Sequence, residues 1–160
     1  MELFHAAWRR LEQTRVGRFP PYRGAREAVE TLRGRGLATA LHTNRGRAER
    51  LDDRLREAEL PRELFDVVHT PEDGGSRKPN VRSLQAVLTR LAEKADIRDP
   101  ACSCVVSDQT QDADMALACG CRFIGVLTGA ATHEDFEPFR KRGVIVVPSI
   151  ADVPDIIRSF

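Results

Sequence analysis

The chain has 160 residues, 25 Lys+Arg against 24 Asp+Glu, 41% hydrophobic and only 6% aromatic positions, which suits one globular domain with an aliphatic core. A net charge of +1 excludes a strongly basic nucleic-acid binder or an acidic solvating tail as the first reading. No run of 18 apolar residues occurs, and MELFHAAWRR lacks a basic region followed by an apolar run, so the expectation is a cytoplasmic protein without a membrane span or signal peptide.

Taken in order, Leu3, Ala6, Ala7, Trp8 and Leu11 lie at near-helical spacing and predict an amphipathic helix over 2–16, with His5 and Trp8 as packing residues. Gly17 to Pro21 break it. A second helix is predicted from about Gly24, with Ala25, Val29 and Leu32 on one side and Gly34 and Gly36 as its stop. GLATALHTN then reads as a short strand ending in His42, Thr43 and Asn44. Residues 46–59 read as a mostly solvated helix on Leu51, Leu55 and Ala58, its arginines forming the wet face.

FDVVHT at 65–70 is a second strand and PEDGGSRKP at 71–79 a turn-rich loop. Val81, Leu84, Val87, Leu88 and Leu91 make a helical face over 81–94. CSCVVSD at 102–108, CRFIGVLTG at 121–129 and VIVVPS at 144–149 are near-continuous apolar runs, as expected of strands buried on both faces of a parallel sheet. A helix near 110–119 and a final one at 151–159 complete an alternating strand and helix order, which argues for an α/β doubly wound fold. The pairs Cys102-x-Cys104 and Cys119-x-Cys121 read as small hydrophobes, because zinc ligands usually stand two or more residues apart.

In open parallel sheets ligands bind beyond the carboxyl ends of the strands. At those ends stand Thr43 and Asn44, a loop leading to Lys78, then Asp108 and Asp112, then Thr128 and Gly129. A hydroxyl with exposed N–H groups, an ammonium and two carboxylates suit a phosphate with a divalent metal. Each residue also has a local reading: Thr43 as a turn or capping residue, Asp112 as a helix cap, Asp114 as an ordinary first-turn acid and His42 as a half-buried strand residue.

In this order the residues resemble the haloacid dehalogenase (HAD) superfamily, in particular its phosphoglycolate-phosphatase-like branch. LATALHTN is similar to the second motif with Thr43, Arg77-Lys78-Pro79 to the third, and VVSDQTQD, with Asp108 and Asp112, to the fourth; the likeness runs over residues ~20 to 160. It implies a three-layer Rossmann-like parallel sheet of about five strands and Mg2+-dependent hydrolysis of a small phosphorylated metabolite. Thr43, Asn44 and Lys78 would hold phosphate, Lys78 would also act in catalysis, and Asp108 and Asp112 would hold Mg2+.

The first motif of that family, an Asp-x-Asp after an N-terminal strand, has no counterpart: the only Asp-x-Asp here is Asp112-Ala113-Asp114, inside the fourth motif. Ser107 also stands where Gly is usual. The implied layout is a remnant of a cap or linker helix over 1–20 and a core over 21–160 whose first central strand is absent. Such a core is expected to be inactive alone, or to serve as a phosphate-binding pseudophosphatase. The strands carrying the second and fourth motifs are expected either to pair directly or to recruit a strand by self-association or from a complementing chain, since unpaired backbone groups in a core each cost about 1–3 kcal/mol.

Overall fold

A computed structural model of the protein describes residues 22–46 and 51–158. The helix expected over 2–16, with His5 and Trp8, and the cap remnant over 1–20 lie outside the described residues.

Helix α1 (Ala25–Gly34) follows Gly24, whose φ of 81° is left-handed and whose α-hydrogen faces Ala151 where a Cβ would stand 2.7 Å from its methyl carbon. Strand β1 (Ala40–His42) begins where the Asp66 carboxylate accepts from Thr39 N at 2.8 Å and from Arg33 Nη1 at 2.9 Å. That use of Asp66 also explains why the second strand starts late: β2 is Val67–His69, shorter than the apolar run around it. Between them, α2 (Leu51–Glu57) buries Leu51 and Leu55 against Val68.

The segment read as a plain loop after β2 contains one helical turn, α3 (Pro71–Gly74). Asp73 Oδ2 accepts from both the N–H and the hydroxyl of Thr70 at 2.8 Å, and this local closure overrides the Gly-rich composition. Helix α4 (Val81–Ala95) is capped by Asn80, which accepts from Arg82 N. The remainder is β3 (Cys104–Ser107), α5 (Thr110–Ala118), β4 (Arg122–Val126), α6 (His133–Arg140), β5 (Ile145–Val147) and α7 (Val153–Ile157).

All strand pairs are parallel, and neighbouring residues feed opposite faces. Val67 and Phe123 join Leu84, Val87, Leu91, Met115 and Phe136 beneath α4, α5 and α6. Ile124 and Val126 instead meet Val153 on the side of α1 and α7. Gly125 lets the Phe136 ring lie flat on β4, since a Cβ there would stand 3.0 Å from ring carbons. The result is the expected α/β layering with helices on both faces of five parallel strands.

The sheet is not continuous. β1 pairs with β2 (Leu41 opposite Val68), and β3, β4 and β5 form a separate three-stranded sheet. Direct pairing of β1 with β3, one of the expected outcomes, does not occur. Both strands are already held by helices, β1 by α4 and β3 by α5, and α4 packs on α5, so the helical layer bridges the two sheets without closing them.

Candidate functional site

The site grows from the carboxyl ends of β1, β2 and β3. Thr43 N–H donates to His69 O at 3.1 Å and so extends the β1–β2 ladder by one rung, after which the chain turns. Thr43 Oγ1 accepts from Arg45 N at 3.0 Å, the local turn role that the sequence leaves open. Its hydroxyl proton remains available to an oxyanion in the crevice.

Asn44 is exposed, yet both ends of its amide are used. Oδ1 accepts from Lys78 N at 2.7 Å and Nδ2 donates to Lys78 O at 3.0 Å, while Arg77 Nη1 donates to Asn44 O at 3.2 Å. The Lys78–Pro79 peptide bond is cis. Asn44, expected to bind phosphate, thus serves in this structure to fix the backbone that carries the ammonium.

Lys78 Nζ donates to Asp112 Oδ2 at 2.8 Å, and Ser107 Oγ donates to the same oxygen at 2.8 Å. The Asp112 side chain is 3% exposed and that of Lys78 22%, so water screens the pair weakly. Asp112 lies in the first turn of α5, where the helix dipole also favours its charge. Ser107, noted only as a replacement for Gly, turns out to supply the second donor. Asp114, expected as an ordinary first-turn acid, lies just beyond the first turn of α5 and pairs on the surface with Arg142 at 2.7 Å.

Asp108 ends the β3 run and faces the loop after β4. Its Oδ2 accepts from Ala130 N at 2.9 Å and its carbonyl from Ala131 N at 3.1 Å. The carboxyl group sits where a side chain on Gly129 would be, so a glycine is required there by close approach.

Two imidazoles underlie the crevice. His42, half-buried on β1, and His69, 1% exposed on β2, meet edge to face with centroids 5.4 Å apart. Neither ring nitrogen of His69 has a hydrogen-bond partner among the described residues. Burial, then the nearby Lys78 and His69, push the pKa of His42 down to about 4, with Asp112 opposing; burial also lowers that of His69. Both rings are neutral at pH 7, and the sequence offered no partner that would have flagged His69. Across the sheet the cysteines are all free, and burial pushes the thiols of Cys104 and Cys121 up to about 12 and about 11, which makes them inert.

Of the four expected groups, the structure brings the Lys78 ammonium and the Asp112 carboxylate into direct contact, while Thr43 bonds within its own turn and to β2, and Asp108 bonds to the loop after β4. Oδ1 of Asp108 and Oδ1 of Asp112 accept no hydrogen bond among the described residues. Two hard carboxylate oxygens fit the way Mg2+ is usually held, by one or two carboxylates completed by water and a phosphate. No cluster of three or more His, Cys, Asp or Glu side chains placed to hold a metal occurs among the described residues. Nor is any helix there long and apolar enough to cross a membrane.

Residues 75–153, which hold Lys78, Asp108 and Asp112, match the HAD-hydrolase-like family profile. Among solved structures, a HAD family hydrolase from Deinococcus radiodurans R1 with bound phosphate and sodium is 28% identical, with a TM-score of 0.67 over 86% of this chain and 58% of its own. The putative beta-phosphoglucomutase from Thermotoga maritima is 20% identical, with a TM-score of 0.67 over 88% of this chain and 61% of its own. A predicted phosphoglycolate phosphatase from Haemophilus somnus 129PT is 20% identical, with a TM-score of 0.67 over 85% of this chain and 56% of its own. The chain thus spans less than two-thirds of the length of each. No curated protein matches it by sequence. With its parallel strands and helices on both faces, the chain has the HAD-like fold, and over residues 75–153 it matches the HAD-hydrolase-like family.

Proposed function

We propose that the chain is the phosphate-binding core of a HAD-type phosphatase acting on a small phosphorylated metabolite, and that it does not turn substrate over by itself. The observation that carries this reading is the linked set Asn44, Lys78 and Asp112, which ties the Lys78 backbone to the loop after β1 and its ammonium to the start of α5. Thr43 donates to a phosphoryl oxygen and Lys78, with two ammonium protons left, offsets its charge. Asp108 and Asp112 would hold Mg2+ through their free oxygens. When bound, that ion would withdraw charge from the phosphoryl group. Hydrolysis by the family's route also needs a carboxylate nucleophile, and this sequence has no Asp-x-Asp at the end of an N-terminal strand. A cytoplasmic setting belongs to the proposal and is supported by four free cysteines.

The same absence favours a second reading, a pseudophosphatase that binds phosphate as a regulatory module. One experiment addresses both. Inorganic phosphate is titrated into the purified chain and followed by amide chemical shifts, and p-nitrophenyl phosphate turnover is assayed with and without Mg2+. Saturable binding that Lys78→Ala weakens about tenfold is expected, a loss of about 1.4 kcal/mol. Absence of saturable binding overturns the phosphate-binding core. Mg2+-dependent turnover that vanishes in Asp108→Asn overturns the inactivity and the pseudophosphatase reading together.

A further inference from the structure

The peptide unit between Asn44 and Arg45 is held at both edges by side chains from different parts of the chain. Its carbonyl accepts from Arg77 Nη1 at 3.2 Å, and its N–H donates to Thr43 Oγ1 at 3.0 Å. A trans peptide carries those two groups on opposite edges and conjugates them through the C–N bond, so a cation on the carbonyl makes the N–H a better donor. Arg77 and the Thr43 hydroxyl are thereby joined through one peptide plane.

That link fixes what the hydroxyl can do. A threonine hydroxyl has one proton to give and two lone pairs, and with Arg45 N–H on Oγ1 the oxygen is held in place while its proton stays uncommitted. The Thr43 N–H is spent on His69 O at 3.1 Å, which pins the residue from β2. Accepting one hydrogen bond also strengthens the hydroxyl as a donor, and the polarisation starts at the guanidinium.

Arg77 reaches Asn44 from a fixed point. The peptide between Arg77 and Lys78 is itself gripped at both edges, since Lys78 N–H donates to Asn44 Oδ1 at 2.7 Å and Arg77 O accepts from Asn80 N at 2.9 Å. The exchange is reciprocal: Asn44 holds the backbone beside Arg77 with its amide, and Arg77 holds the backbone of Asn44 with its guanidinium. A fixed backbone lowers the entropy cost of ordering a long, exposed side chain.

We propose that Arg77 is a positioning residue of the anion site, holding the Thr43 hydroxyl through the Asn44–Arg45 peptide as a donor to a phosphoryl oxygen. The inference rests on the phosphate-binding reading of the crevice and adds a residue that acts through Thr43.

Two readouts on the whole chain test it. The first needs no ligand and follows the Arg45 amide proton by NMR. Arg77→Met keeps an aliphatic stem and removes the donor; it is expected to move that proton upfield and to speed its exchange about threefold or more. Arg77→Lys keeps a charged donor and should restore most of the shift. The second readout is inorganic phosphate titration in a double-mutant cycle with Thr43→Val. Arg77→Met is expected to weaken phosphate binding about threefold to fivefold in the wild-type background, and less than about 1.5-fold in the Thr43→Val background. Equal losses in both backgrounds mean that Arg77 acts on the anion by its charge alone and overturn the proposal. An Arg45 amide proton that Arg77→Met leaves unmoved overturns it too, and that measurement decides the matter should Thr43→Val misfold. Absence of saturable phosphate binding in the wild-type chain overturns the phosphate reading and the role of Arg77 with it, whereas failure of the cycle with binding intact overturns the role of Arg77 alone.

Discussion

The side-chain amide of Asn44 grips both backbone polar groups of Lys78, accepting from its N–H at 2.7 Å and donating to its carbonyl at 3.0 Å. One exposed residue on the β1 loop thereby sets the position of an ammonium on the β2 loop. Asn44→Ala removes both bonds and is expected to cost about 1–2 kcal/mol of stability. Phosphate affinity should fall with it even though Asn44 need not touch the anion. Asn44→Asp keeps the acceptor alone and should fall between, as read by urea unfolding and phosphate titration.

Lys78 and Asp112 form the least exposed ion pair of the site. Lys78→Ala leaves the Asp112 carboxylate with the Ser107 hydroxyl as its remaining donor, and is expected to destabilise by about 2–4 kcal/mol. The double variant Lys78→Met/Asp112→Asn removes both charges and should recover part of that loss. A denaturant double-mutant cycle gives the coupling; additive losses would show that the pair is not a unit.

Gly129 gives way to the Asp108 carboxyl group. Gly129→Ala should push Asp108 off its seat, break the bond from Ala130 N and cost about 1–3 kcal/mol. An amide-shift map should show the change centred on Ala130 and Asp108, with β1 unaffected.

The two imidazoles make stability depend on pH. Their folded pKa values lie below the unfolded value, so the unfolded chain binds more protons between the two. Stability is full above about pH 6.5 and falls as pH drops toward 4, the folded value for His42. For His42, half-open to solvent, the loss should be about 1–2 kcal/mol. Thermal unfolding between pH 8 and 4 should show this slope, and His42→Gln should flatten it. His69→Leu removes two unpartnered buried nitrogens and should stabilise the protein at pH 5 more than at pH 8.

Much of this architecture was legible in the residues. Consecutive apolar runs announce buried parallel strands, and polar residues at their ends announce a crevice, so Thr43, Lys78, Asp108 and Asp112 could be picked out before any fold was seen. What stayed hidden depends on partners distant in the chain. Nothing local to Asn44 says that its amide will meet Lys78, and nothing around His69 says that its ring will be sealed under α4 beside His42. β2 is shorter than its apolar run because the N–H of Thr39, just before β1, is taken by the Asp66 carboxylate instead of a backbone carbonyl. The split in the sheet is invisible to periodicity, which reports how deeply a strand is buried on its faces but not whether its edge has a neighbour.

The two links at the heart of the crevice each span 34 positions, Asn44 to Lys78 and Lys78 to Asp112. Contacts of that range require successive strand and helix units to dock before they close, and long loops are expensive to close early. The crevice should therefore be among the last parts of the molecule to assemble and among the first to open. During refolding, phosphate competence should lag behind the return of helical signal, which makes anion binding a clock for the final docking step.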